Sequence, residues 1–175
     1  MESGDGMGVR FSQQLISLDI FTDAYRVTGH ALIGTGGIHA ELSNPNRSFM
    51  DLEDAYVSRI NQPGEIVVSF KETAFRKDNI NFIVLQNKRD GLPVSSQIYT
   101  RGRSINIFLT VPSFEIRGEI FHEGRLLASD IVGKSHGQFL LIFSGRASAS
   151  LYPDISYSGD LILVHRDRVG IVGLE

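Results

Sequence analysis

The amino-acid sequence predicts a mainly β protein. It reads as an internal duplication of a small, partly open β-barrel or curled sheet, with one short helix per repeat and the repeats packed as a pseudo-symmetric pair. Three observations predict it. Long stretches alternate apolar and polar residues with period two, the pattern of a half-buried strand. A glycine interrupts two of these stretches at the same place, Gly29 in "YRVTGHALI" (25–33) and Gly118 in "FEIRGEIFH" (114–122). The closing phrase "VHRDRVGIVGLE" (164–175) also has the layout of "FRKDNINFIVL" (75–85): a charged tip, an aliphatic residue, then an apolar run.

Each element follows from its residues. The N-terminal segment, 1–19, contains "VRFSQQLISLDI" (9–20), which alternates in part and predicts an extra strand, with a helix over 12–20 as the competing reading. The first β module spans 20–88. Its opening strand is 25–33, where glycine inside a strand marks a bulge or a sharp bend. The same glycine in the second copy predicts the same bend. "GIHAELSN" (37–44) places Ile38 and Leu42 one helical turn apart and is predicted to be a short helix. Asn44 suits a left-handed helix end, and Pro45 stops continuation. "FMDLEDAYVSRI" (49–60) reads as a strand, "NQPGE" (61–65) as a turn, "EIVVSF" (65–70) as the next strand and "INFIVL" (80–85) as the last.

The connector, 89–107, starts as a turn and becomes strand-like between Ile98 and Leu109. The second module, 108–175, repeats the order: 114–122 as strand, "RLLASDIVG" (125–133) as helix, "FLLIFSGRASASLY" (139–152) as strand, "YPDISYSGD" (152–160) as turn, then "DLILVH" (160–165) and the closing strand. Aligning the modules past Leu52 and Ile142 needs a shift of one residue, which a β-bulge supplies.

Composition narrows the function classes. At 42% hydrophobic and 21% charged, the chain is an ordinary globular one, long enough to bury roughly 70% of its unfolded surface. It has no cysteine, so disulfides, thiolate metal sites and cysteine nucleophiles are excluded. The net charge of −3 argues against nucleic acid as a partner, because phosphate contacts need a basic surface. No apolar run reaches about 18 residues, and the start, "MESGDGMGVRF", lacks signal-peptide order, so the expected location is cytoplasmic, with no membrane partner.

The short motifs read as structure. "HRD" (165–167) matches a protein-kinase catalytic loop, but Val172 stands where that loop needs Asn, so 165–168 reads as a hairpin tip. "DISYSG" (154–159) matches half of the PilZ motif, without its upstream arginines. "GTGG" (34–37) lacks the ending of a phosphate loop. The five histidines, His30, His39, His122, His136 and His165, form no ligand pattern, and no serine-nucleophile elbow occurs. No catalytic residue, metal site or cofactor is predicted.

One resemblance spans most of both modules. It is carried by Tyr25, Val27, Gly29, Phe49, Leu52, Asp54, Ala55, Lys77 and Ile80, and in the second copy by Phe114, Ile116, Gly118, Phe139, Ile142, Arg166 and Val169. This order resembles tandem copies of a small β-rich bacterial domain of unknown function, with a likeness to Sm-like and SH3-like small barrels. "LEDA" (52–55) is similar to the end of the first Sm motif, although Phe49 replaces its expected Asn. The resemblance implies a small β fold and no activity.

The resulting expectation is a non-enzymatic protein-interaction or assembly module, taking a protein partner or self-associating along exposed sheet edges. The alternative is a small-ligand- or nucleic-acid-binding regulatory barrel. Its recognition surface would be Arg76, Lys77, Arg101, Arg103, Arg166 and Arg168 at the turns. A hydrolase is the third reading, to be revived by a pocket holding two histidines with a carboxylate.

Overall fold

The structure, a computed structural model, describes residues 12–93, 96–133 and 137–175. The start of the N-terminal segment (1–11) and His136 lie outside the described residues. The first half runs β1 (Gln14–Phe21), β2 (Tyr25–Ile33), α1 (Gly37–Ser43), β3 (Phe49–Arg59), β4 (Gln62–Arg76), a 3-10 turn (Lys77–Asn79) and β5 (Phe82–Leu85). After α2 (Lys88–Gly91) and a 3-10 turn (Ser96–Thr100) the second half repeats that order. It runs β6 (Arg103–Val111), β7 (Phe114–His122), α3 (Ala128–Gly133), β8 (Phe139–Ala149), β9 (Tyr152–His165), a 3-10 turn (Arg166–Arg168) and β10 (Ile171–Leu174).

The mainly β expectation holds. Ten strands form one antiparallel sheet, ordered β10-β6-β7-β8-β9-β5-β1-β2-β3-β4, curled but not closed into a barrel. Within each half the fifth strand lies beside the first, and the fourth is outermost. The segment 12–20 is therefore strand from Gln14 on, because Ile16, Leu18 and Ile20 alternate into the core; the helical reading is displaced.

The bends fall where glycine puts them. Register shifts between Thr28 and His30 against β3, and between Arg117 and Glu119 against β8. Opposite each glycine the next strand carries a residue in the left-handed region, Asp54 (φ 47°) and Ser144 (φ 48°). A side chain at Gly118 would meet the Phe143 carbonyl oxygen at 2.8 Å, and one at Gly29 the Ala55 Cα at 3.3 Å. Close backbone approach, not only flexibility, requires the glycine.

Four expectations are corrected. The turns placed at 61–65 and 152–160 are strand: β4 and β9 begin at Gln62 and Tyr152. Pro63 and Pro153 are tolerated because both stand near the start of a strand with a neighbour on one side only, so no ladder bond is lost. The connector strand begins at Arg103, with 96–100 a 3-10 turn instead. Asn44 is extended rather than left-handed (φ −71°, ψ 110°), and the buried Lys77 amine instead donates to the carbonyls of Glu41 and Asn44 at the end of α1. The last helix starts late, at Ala128, leaving Leu127 exposed. The single-residue shift between the halves sits in the fourth strand: β4 skips register at Ser58, passing from Val68 to Ile66, where β9 stays regular.

Two hydrophobic clusters lie on either side of the β5–β9 pair. Along β9, Leu161 and Leu163 enter the first cluster while Ile162 and Val164 enter the second; along β5, Ile83 and Leu85 enter the first while Phe82 and Val84 enter the second. Neither cluster belongs to one half. Phe139 and Phe143 of β8 fill the first, and Phe21 of β1 stacks on Phe82 at 4.4 Å inside the second, with Phe114 and Tyr157 against it.

Cutting Leu163 or Ile162 back to alanine should cost about 2–5 kcal/mol each, the range for a buried aliphatic side chain. The two substitutions damage different clusters, yet both should leave a single urea transition, because each central strand is a wall of both clusters. Two resolved steps in either variant would show that the halves unfold independently.

Candidate functional site

Among the described residues the sheet has two open ends, β4 and β10. No residue of the 15-residue strand β4 is buried. Val68 pairs with Val57 and Phe70 with the fully buried Ala55, and directly paired residues share a face of the sheet. Val68 and Phe70 therefore lie on the core-facing side. They stay 40% and 44% exposed because no further strand covers them. Ile66 is 62% exposed on the same strand. Lys71, Glu72 and Glu65 interrupt the run with charge, which blunts indiscriminate strand pairing. At the other end β10 pairs with β6 alone, and its Ile171 is 62% exposed.

The closing phrase is not a hairpin tip. The turn Arg166–Arg168 sends the chain from β9 to β10 on the far side of β6, and β9 and β10 do not pair. His165 is buried, accepts the Asp167 backbone N–H at Nδ1 (3.3 Å) and stands edge-on to Phe139. Its imidazole thus serves the turn.

The six basic residues proposed as a recognition surface part company. Lys77 is 3% exposed, its amine spent on the end of α1, so it offers nothing to a ligand. Arg76 reaches Asp78 at 3.7 Å, and Arg168 donates to the Asp78 carbonyl at 2.7 Å across the two halves. Arg166 donates to the Gly137 carbonyl. Arg103 stands opposite His122 at the start of β6, and Arg101 is exposed just before it. Arg166 and Arg168 thus fasten their turn to other segments of the chain.

A cavity of about 600 Å³ lies between α1, the turn at 96–100, the end of β7, α3 and β8. Its walls are apolar, among them Ile98, Phe121, Leu126 and Phe143. The polar groups at its wall are His39, His122, Arg125 and Asp130, with Tyr99 edge-on to His39 at 5.7 Å. The His122 Nδ1 atom is buried without a hydrogen-bond partner. Among the described residues no three histidines or carboxylates gather in a metal-binding group, and no helix is long and apolar enough to cross a membrane. Sequence reading could not find this cavity, because its histidines come from opposite halves and share no spacing.

No family model, curated protein or solved structure matches the chain.

Burial lowers the pKa of His39, and burial likewise dominates at His165, where Arg168 and Arg166 add to the lowering and the carboxylates of Asp167 and Asp78 oppose it. A histidine whose folded pKa lies below its ordinary value of 6.5 binds a proton more readily when unfolded. Stability should then be full above about pH 6.5 and fall progressively below it. Thermal unfolding between pH 8 and pH 5 checks this: the midpoint should drop on the acid side, and the drop should shrink in the double variant His39→Gln/His165→Gln. An unchanged acid slope in that variant would remove these histidines as its cause.

Proposed function

We propose that the chain is a non-enzymatic assembly module, made of tandem copies of one small β unit, that adds a strand of another protein to its open sheet edge. The observation that carries this reading is β4: fifteen residues with none buried, holding Val68 and Phe70 on the core-facing side of an uncovered strand. An edge of unpaired backbone groups beside apolar side chains binds an extended strand through ladder hydrogen bonds and gains specificity from alternate side chains. The matching element order of the two halves supports the tandem reading, as does the shared glycine bend.

The apolar cavity favours a second reading, a small-ligand-binding regulatory protein. Its volume suits a small molecule with an apolar body, and the unpartnered His122 Nδ1 with Arg125 offers that molecule a polar anchor. The wall of the same cavity carries His39, His122 and Asp130, the residue types set as the condition for a hydrolase, but among the described residues the three form no metal-binding group. Nucleic-acid recognition loses support, since Lys77 is buried and Arg166 and Arg168 are bonded to backbone carbonyls.

Light scattering at rising protein concentration tests the edge. The double variant Val68→Lys/Phe70→Lys should weaken association at least tenfold while changing the thermal midpoint little, since both side chains are already about half exposed. A chain that stays monomeric at high concentration and retains no partner protein would overturn the assembly reading.

A further inference from the structure

The chain already contains one complete edge-to-edge junction. Strand β9, the fourth of the second half, pairs with β5, the fifth of the first: Phe82 with Val164, Ile83 with Leu163, Val84 with Ile162 and Leu85 with Leu161. The His165 backbone N–H donates to the Asn81 carbonyl at 2.9 Å, and Arg168 bonds the Asp78 carbonyl beside it. The two free edges are the other members of the same pair of elements: β4 is the fourth strand of the first half, and β10 the fifth of the second.

The correspondence runs to single bonds. An offset of 89 residues carries β5 (Phe82–Leu85) onto β10 (Ile171–Leu174) and the turn Lys77–Asn79 onto Arg166–Arg168. The bond from the Asn81 N–H to the Phe21 carbonyl (2.8 Å) becomes the bond from the Gly170 N–H to the Thr110 carbonyl (2.9 Å). The ladder of β5 on β1, with Phe21 opposite Phe82, becomes that of β10 on β6, with Thr110 opposite Ile171. β10 thus sits on its half as β5 sits on its own, and its outer edge is formed alike. On the other side, Met50 opposite Phe75 corresponds to Leu140 opposite Val164, so the end of β4 is laid on β3 as the end of β9 is laid on β8.

Building on the assembly reading, we infer that the occupant of these edges is a second copy of this chain, with β4 of one copy pairing antiparallel with β10 of the next in the register of the internal β9–β5 junction. That register sets Phe75 against Ile171, Ala74 against Val172, Thr73 against Gly173 and Glu72 against Leu174. Arg76 N–H then donates to the Gly170 carbonyl of the second copy, as His165 does to Asn81 within the chain. Ile171 leaves solvent to lie beside Phe75 and reaches the uncovered core-facing side of β4. The contact is head-to-tail: each copy gives one edge and accepts the other, so copies add in a ring or a filament. The internal pairing is its template, and Ile171 and Phe75 are its apolar contact.

Disulfide trapping tests the register, since the natural chain has no cysteine to interfere. A Cβ at Gly173 meets nothing within 4 Å, so Gly173→Cys is sterically free. The full chain carrying Thr73→Cys/Gly173→Cys should form linked dimers and larger species under mild oxidation. The chain carrying Thr73→Cys/Val172→Cys should not, because a slip of one residue turns the second thiol to the opposite face. Sedimentation of the unmodified chain should give masses at multiples of 19.4 kDa, and Ile171→Lys, on a side chain already exposed, should reduce the associated fraction at least tenfold with folding intact by circular dichroism. Two results would overturn the inference. One is association lost with Val68→Lys/Phe70→Lys but untouched by Ile171→Lys and without cross-linking, which keeps the β4 edge as a binding site for something else. The other is equal trapping of both cysteine pairs, which would deny the register.

Discussion

The β5–β9 pairing is the contact on which the rest of the molecule depends. Each strand is short of polar residues over the four paired positions, and all eight side chains are buried. Alternation then does something unusual for a strand in a small β unit. Because neighbouring side chains point to opposite faces, one strand pair feeds two hydrophobic clusters at once. Burying both faces is ordinarily the mark of a strand covered by helices on each side. Here the sheet's own curl supplies the covering, with the first half folded over one face of the junction and the second half over the other.

That arrangement explains why the halves exchange aromatic residues. Modules of roughly 65 residues bury too little surface to be comfortable alone. Phe21 crosses into the second cluster and stacks on Phe82, while Phe139 and Phe143 cross into the first. Polar contacts follow the same route. Arg26, held by Asp19 at 2.9 Å, lies over the Tyr157 ring at 4.9 Å, and the Ser113 hydroxyl donates to the Asp23 carbonyl at 2.8 Å. Strands from both halves thus share packed side chains, and the sheet curls around that shared interior without closing.

Much of this was legible in the residues, and the reasons are physical. Alternation at Ile16, Leu18 and Ile20 and at Val27, Ala31 and Ile33 reports burial directly, since a one-residue slip would expose every one of them. Gly29 and Gly118 were legible because a bend with close backbone approach admits few other residues. The misread parts are those where tertiary surroundings outrank local chemistry. Pro63 and Pro153 look like turn residues until the strand registers show each on a stretch with a neighbour on one side only. Lys77 looks like a surface cation, yet burial of its amine against two carbonyls of α1 makes it a helix cap supplied from a distant turn. The cavity was illegible for another reason. His39 and His122 line one cavity only because α1 of one half lies against β8 of the other, which no spacing in a single repeat records.

The two kinds of edge differ in composition, and the difference sorts their roles. The internal junction sets Leu161, Ile162, Leu163 and Val164 against Phe82, Ile83, Val84 and Leu85, apolar at every position. The corresponding free positions are Glu72, Thr73, Ala74 and Phe75 on β4 and Ile171, Val172, Gly173 and Leu174 on β10. A carboxylate, a hydroxyl and a missing side chain replace three of the eight aliphatic or aromatic groups. Each buried methylene contributes about 0.8 kcal/mol, so the free edges gain far less from pairing than the internal one. They must also meet the entropic cost of bringing two molecules together, which the covalent connection spares β5 and β9. An edge with a fully apolar run would pair irreversibly and with many wrong partners; one tempered by Glu72 and Thr73 and flanked by Lys71 stays open at low concentration. The same strand pairing can therefore act as a permanent seam inside the chain and as a reversible one at its ends.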